Sequence, residues 1–380
     1  MTSQEPEILT RENITPMKAV AALYHEGQVE LARAVVSSLS RRIFDGAPPR
    51  PSGLVRRTLA RGVVRLLNRT TTEATRPGPD GELVTYFHNR IVENSRHPYA
   101  GTMLEPSKAD TAAFVEGGDA MNAIYMMLSP AIAAHASSWD KIFLDSVQSR
   151  DVQWRLVWET RLTYELAVRR LRAGQPVRLK AVAAGSGLSL ILVVERLLHE
   201  GHDPGLITAL LTDRELTNIE RTLRLAEKLP ETSRHLALHA GASSGLFVRI
   251  EDALHPSTKG AHEAPFDIVT VVGLLEYFPG NTFTTSEENR GEPAPQGPPW
   301  AADVVRNVAG LTAEGGHLIV NTYRLQAASR LLETFGKRFR YRGPKEMQGL
   351  LAPAGFIPAG RLHSANIFDV EVFEKKLTAR

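Results

Sequence analysis

The segment Val177–Leu190, VRLKAVAAGSGLSL, constrains this chain most: an apolar run stops at a turn of small residues and a helix-like segment follows at once. Strand, glycine turn and helix in that order are the opening unit of an open α/β sheet. Glycine lets the backbone come close to a ligand, and the first N–H groups of the new helix face the same point. From there onward apolar runs alternate with helical segments, which predicts a parallel sheet. The strands expected are Val177–Ala183, Gly205–Leu211, one near His235–His239, Asp267–Val272, His317–Asn321, Phe339–Arg342 and Ile367–Phe373, with Leu246–Ile250 as a short extended piece.

Before Val177 the pattern is helical. Residues 1–75 read as two helices separated by the breaker DGAPPRPSG, and Asp151–Ala173 as a long helix with Trp154, Val157, Trp158, Leu162 and Leu166 on one face. This places a mainly helical N-terminal region over residues 1–150 and an α/β domain over residues 151–380. No run approaches the roughly 18 uncharged apolar residues of a membrane span. The chain has no cysteine, so disulfides, thiolate nucleophiles and Cys-based metal sites are excluded. A cytoplasmic location is the expectation. The net charge of +3 is too small to point to nucleic acid. It is unevenly spread, however: Arg33–Arg69 holds nine arginines and one acidic residue, Asp45. Its segment LVRRTLARGVVRLLN has helical apolar spacing, which reads either as a basic face for RNA, lipid or an acidic partner or as a docked helix with snorkelling arginines.

Two kinds of ligand suit the glycine turn. A dinucleotide fingerprint needs a third glycine or alanine, and here Leu190 stands in that place, with Asp213 as the acidic residue. The remaining motifs point elsewhere. Asp213 ending the second strand, FDIVTVVGLLEYF, EGGHLIVNTYR, LLAPAGF and IFDVEVFEKK follow one another in an order that resembles the class I S-adenosylmethionine-dependent methyltransferases. The resemblance covers about Asp151–Lys376, and GLLEY after the fourth strand resembles a bacterial branch of that family. It implies a Rossmann-like methyltransferase fold: a mostly parallel seven-stranded sheet, helices on both faces, a C-terminal antiparallel strand, and here a mainly helical N-terminal cap.

The resemblance also implies roles. Gly185 and Gly187, with Ala183 at the first glycine position, would pass the methionine part of the cofactor. Asp213 would accept from the ribose hydroxyls, since a carboxylate offers two acceptor oxygens to a vicinal diol. Asp252, beside Glu251, matches the acidic residue near the adenine amine; Gly273 and Leu274 would sit under the sulfonium. Glu276 is the expected proton acceptor and Tyr277 a cation–π or shape-setting neighbour at the mouth. The chain departs from the family turn at two places. Ala181 stands where an acidic residue is common, removing a partner for the cofactor's ammonium, and Ala183 replaces glycine, which is costly if φ is positive there.

The expected function is methyl transfer from S-adenosylmethionine to a small-molecule, biosynthetic acceptor. Two alternatives stand beside it: a methyltransferase fold that does other chemistry or only binds, and a nucleic-acid or protein methyltransferase using the Arg33–Arg69 stripe. No metal is expected: HEGHD (His199–Asp203) reads as a solvated helix end. A homodimer is left open. Acceptor specificity is expected from residues 1–150 and from Pro279–Trp300, with Tyr99, Met103, Met126, Met127, Trp154, Trp158 and Tyr164 as lining groups or ordinary core.

Overall fold

The computed structural model describes residues 16–47, 122, 124–134, 147–236, 244–254, 264–278, 301–325 and 340–377. The segment 54–68, Tyr99, Met103, His239, the loop 279–300 and the expected helix 327–335 lie outside the described residues. The chain divides into two units, one formed by Met1–Trp154, Arg324–Phe339 and Ala365–Ile367, the other by Arg155–Tyr323, Arg340–Ser364 and Phe368–Arg380.

The described part of the first unit is helical. It contains α1 (Pro16–Ala22), α2 (Val29–Ser40), α3 (Pro130–Ala133) and the start of α4 (Val147–Arg172). Helix α2 buries Leu31, Ala32, Val35, Val36 and Leu39, the i, i+3/i+4 stripe that its sequence spacing dictates. Asp151 in α4 is buried and its carboxylate accepts from Asn366 N, Asn366 Nδ2 and Ile367 N at 2.7–3.0 Å. Burial nevertheless raises its pKa against the pull of those bonds and of Arg324.

The second unit is built on one eight-stranded sheet. Its strands are β1 (Val177–Val182), β2 (Ile207–Asp213), β3 (Gly245–Ile250), β4 (Phe266–Val271), β5 (Thr312–Tyr323), β6 (Phe356–Pro358), β7 (His363–Ser364) and β8 (Phe368–Lys375). Their order is β3-β2-β1-β4-β5-β8-β6, with β7 paired to β8. The first five strands run parallel, and β8 is antiparallel to β5, β6 and β7. Seven strands form that path, as expected in number, with the two-residue β7 added. The expected strand Phe339–Arg342 is corrected, since its described residues 340–342 make only a single bridge from Arg342 to Tyr323 and Phe356–Pro358 holds the edge beside β8 instead. Helix α5 (Leu188–His199) follows β1 and α6 (Leu216–Ala226) follows β2; α7 (Pro230–His235) precedes β3. Helices α8 (Ala301–Leu311) and α9 (Pro344–Leu351) share one apolar core with β4, β5 and β8, built on Val304, Val308, Val269, Val320, Phe373, Met347 and Leu351.

Strand β1 is central and covered on both faces, so its residues are almost all buried, as parallel strands require. Lys180 is the exception in kind. Its side chain is 1% exposed, and its ammonium lies 2.6 Å from Oε1 of Glu251, whose side chain is 4% exposed. The expectation of a strand at His235–His239 is corrected at its first residue. Pro230 opens α7 at its first position and the helix runs to His235, whose Nε2 lies 3.1 Å from the Ile207 carbonyl. The third strand is instead Gly245–Ile250, the stretch read as a minor extended piece.

Candidate functional site

The carboxyl ends of β1, β2 and β4 converge in the second unit. Beyond β1, Ala183, Gly185 and Gly187 all have left-handed backbones, with φ of 52°, 57° and 64°. Ala183 therefore carries the strain that its sequence position threatened. A Cβ at Gly187 would come within 2.1 Å of Leu211 Cδ2 and 3.0 Å of Thr222 Cγ2, so only glycine fits between β2 and α6. A Cβ at Gly185 would meet nothing within 4 Å. One glycine is thus demanded by packing, and the other faces open space.

Asp213, the last residue of β2, is buried and ties this turn down. Its Oδ2 accepts from Gly185 N at 2.8 Å; its Oδ1 accepts from Glu215 N at 2.9 Å and Asn218 Nδ2 at 3.2 Å. A carboxylate has about four lone-pair sites, so one remains on Oδ2. Asp213 is not the N-cap of α6; Glu215 holds that position without a side-chain cap. At the end of β3, Glu251 pairs with Lys180, while Asp252 Oδ1 accepts from Leu254 N at 2.9 Å.

Beyond β4, Gly273 has φ 81° and donates to Asn321 Oδ1 at 2.6 Å. A Cβ there would stand 3.2 Å from Arg155 Nη2, so the guanidinium of α4 lies against this glycine. The 3-10 turn Leu275–Tyr277 then buries Glu276 and leaves Tyr277 exposed. Arg342 fixes that turn by donating to the carbonyls of Leu275 and Phe278. Arg155 Nη1 lies 3.4 Å from Glu276 Oε1, and its guanidinium carbon stands 4.8 Å from the Phe368 ring centre. Glu276 Oε2 accepts no hydrogen bond from the described residues. Burial raises the Glu276 pKa despite the opposing pull of Arg155, Asn321 and Arg342. Arg342 itself is lowered to about 10, chiefly by burial.

One helical turn after Arg155, Glu159 is buried and its pKa is raised to about 7 by desolvation, against Arg155 and hydrogen bonds from Ser189 and Thr270. Sequence reading missed Arg155, Glu159, Asn321 and Arg342. For Arg155 and Glu159 the only signal was a charged pair four residues apart on a long helix with an apolar face; Asn321 and Arg342 gave none. Trp158 stacks on His363 with ring centres 3.6 Å apart, Tyr164 donates to the Glu200 carboxylate at 2.5 Å, and Met126, Met127 and Trp154 are buried in the first unit. Glu200 of HEGHD is thereby engaged by Tyr164 and by Arg196, also at 2.5 Å. Among the described residues no group of three or more His, Asp or Glu side chains could hold a metal, and no helix is long and apolar enough to cross a membrane.

Five parallel strands, a glycine turn after the first, an acid ending the second and a reversed strand next to the fifth decide the architecture. The fold is that of the class I methyltransferases. No family model and no curated protein matches this chain. Among solved structures it is similar to magnesium protoporphyrin IX methyltransferase (ChlM) from Synechocystis PCC 6803 with bound SAH, at 14% identity and TM-score 0.38 over 59% of this chain and 87% of that one. It is also similar to the CMeT domain of the citrinin polyketide synthase, at 11% identity and TM-score 0.45 over 96% and 98% of the two chains. A third is the CurJ carbon methyltransferase, at 12% identity and TM-score 0.44 over 96% and 100%. The strand order, rather than these overlaps, carries the assignment of the methyltransferase fold.

Proposed function

We propose that this protein is an S-adenosylmethionine-dependent methyltransferase acting on a small-molecule acceptor. The observation that carries the reading is Asp213, a buried carboxylate at the end of β2 bound to the backbone of the open Gly185 turn at the end of β1. Two observations support a nucleoside there: nothing stands within 4 Å of where a Gly185 Cβ would be, and Asp213 keeps one acceptor site. Asn218, the longest of the three donors, is the group that would yield so that Asp213 takes both ribose hydroxyls.

In this reading Asp252 faces the adenine amine, Gly273 and Leu274 line the sulfonium end, and the Ala183–Gly187 turn passes the methionine part. S-Adenosylmethionine supplies an already activated methyl group, so the protein's work is alignment, exclusion of water and, for an alcohol or amine acceptor, proton removal. Glu276 is assigned that proton, because its buried Oε2 has room for a further donor and its raised pKa makes it a better base than an exposed carboxylate. Tyr277, exposed beside it, is assigned to the acceptor side. Residues 1–150 are assigned to acceptor selection and residues 151–380 to the cofactor and catalysis.

Calorimetric titration tests the reading. The purified protein is expected to bind S-adenosylhomocysteine, and Asp213→Ala to weaken that binding at least tenfold. Absence of binding by the wild-type protein leaves the binding-only and other-chemistry alternatives in its place.

A further inference from the structure

The glycine turn lacks the acidic side chain expected at its start, and Ala181 stands there. Ala181 is a register partner of Thr270 on the neighbouring strand β4. Paired residues on adjacent parallel strands point to the same face of the sheet, so the Ala181 methyl and the Thr270 hydroxyl lie side by side. Thr270 hydrogen-bonds to the Glu159 carboxyl, and so does Ser189, two residues beyond Gly187 in the first turn of α5. The carboxyl of Glu159 is therefore held between β4 and the start of α5, over the strand pair that contains Ala181.

We propose that Glu159, delivered from helix α4, supplies the carboxylate missing from position 181 and receives the ammonium of the methionine part of S-adenosylmethionine. This rests on the methyltransferase reading above and adds a residue to it.

Three features support the substitution. Arg155 and Glu159 are four apart on α4 and share one face, and Arg155 is committed to Glu276, at 3.4 Å. Among the described residues Glu159 forms no ion pair, although it is buried. A buried carboxylate without a paired cation is costly, and its pKa near 7 is the mark of that cost. A ligand ammonium would remove it. Ala181, finally, is small and buried, so nothing from β1 competes for the place.

The test compares two ligands that differ only in the amino-acid part. S-Adenosylhomocysteine carries the ammonium, and 5′-methylthioadenosine lacks it. Calorimetry of the full chain is expected to show that Glu159→Gln weakens S-adenosylhomocysteine at least tenfold and changes methylthioadenosine less than twofold. Equal loss of both ligands, or no loss of S-adenosylhomocysteine, overturns the proposal. A rescue variant guards against a folding defect: Glu159→Ala combined with Ala181→Asp regains S-adenosylhomocysteine binding, whereas Glu159→Ala with Ala181→Asn does not. Equal binding by these two double variants also refutes it. If the wild-type protein binds neither ligand, the methyltransferase reading itself fails. If it binds both and only the Glu159 result is negative, that reading stands without Glu159.

Discussion

Three left-handed residues within five positions form a built-in comparison, because their φ angles are nearly equal and their surroundings are not. Ala183, at φ 52°, pays about 1–2 kcal/mol for a conformation that disfavours any Cβ. Ala183→Gly removes that strain but gives the unfolded chain more freedom, worth about 0.4–1 kcal/mol. The net expectation is a gain of about 0.5–1 kcal/mol. Gly185→Ala reverses the same balance in open space and loses about 0.5–1 kcal/mol. Gly187→Ala adds an overlap with Leu211 at 2.1 Å, and overpacking of that kind costs a further ~1–3 kcal/mol, for a total loss of about 2–4. Urea unfolding reads all three. With a slope of about 3 kcal/mol/M, the midpoints shift by about +0.2, −0.2 and −1 M, with the slope unchanged. A stability loss in Ala183→Gly, or equal losses in the two alanine variants, would falsify the reasoning.

Stability should also fall with rising pH through Glu159. Its folded pKa near 7 exceeds the ordinary 4.5, so between these values the folded state keeps a proton that the unfolded state has released. The contribution is full below pH 4.5 and is lost as pH rises through 7, a difference of about 3 kcal/mol. Urea midpoints measured from pH 5 to pH 8 should therefore drop more steeply in the wild type than in Glu159→Gln, and parallel curves would count against it. Lys180→Met leaves Glu251 charged and buried without its partner, and should cost about 3–5 kcal/mol, whereas Lys180→Met with Glu251→Leu should recover most of the loss. A single variant within 1 kcal/mol of wild type in chemical denaturation would contradict this. Asp151→Ala strips the acceptor from two backbone N–H groups and one amide, at about 1–3 kcal/mol for each buried group left unsatisfied. Differential scanning calorimetry should show a clear fall in melting temperature, and an unchanged melting temperature would argue that water replaces the carboxylate.

The sheet was legible wherever an apolar run ended at glycine or an acid. Val177–Val182, Ile207–Asp213 and Phe266–Val271 are buried on both faces, and continuous hydrophobicity is what such strands look like in sequence. The third strand was harder, because GLFVRI has exposed and half-buried positions toward its end, and the neighbouring PETSRH carried an equally short signal. Pro230 was the overlooked clue, since proline favours the first turn of a helix. In the candidate site, the glycine turn could be read because a strand, a run of small residues and a helix follow one another, and Asp213 because its place in the order of motifs resembles the class I methyltransferases. Arg155 and Glu159 could not. They sit on a helix whose first turns are buried nearly all round, and only tertiary packing turns an amphipathic stripe into a buried charge cluster. Nor does spacing in the chain announce that Ala365–Ile367 joins the unit containing Asp151.

Strand β8 lies in the interior of the sheet, hydrogen-bonded to β5 on one side and to β6 and β7 on the other. Every one of those partners precedes it in the chain. During synthesis β5 can join β4 as soon as both are made, but its other edge, along His317–Tyr323, stays open until Phe368–Lys375 has been translated. An open strand edge invites pairing with other chains. The nascent protein therefore passes through a stage at which its parallel half is assembled and the free edge of β5 awaits β8, so slow translation or truncation before residue 368 should favour aggregation over a folded shorter form.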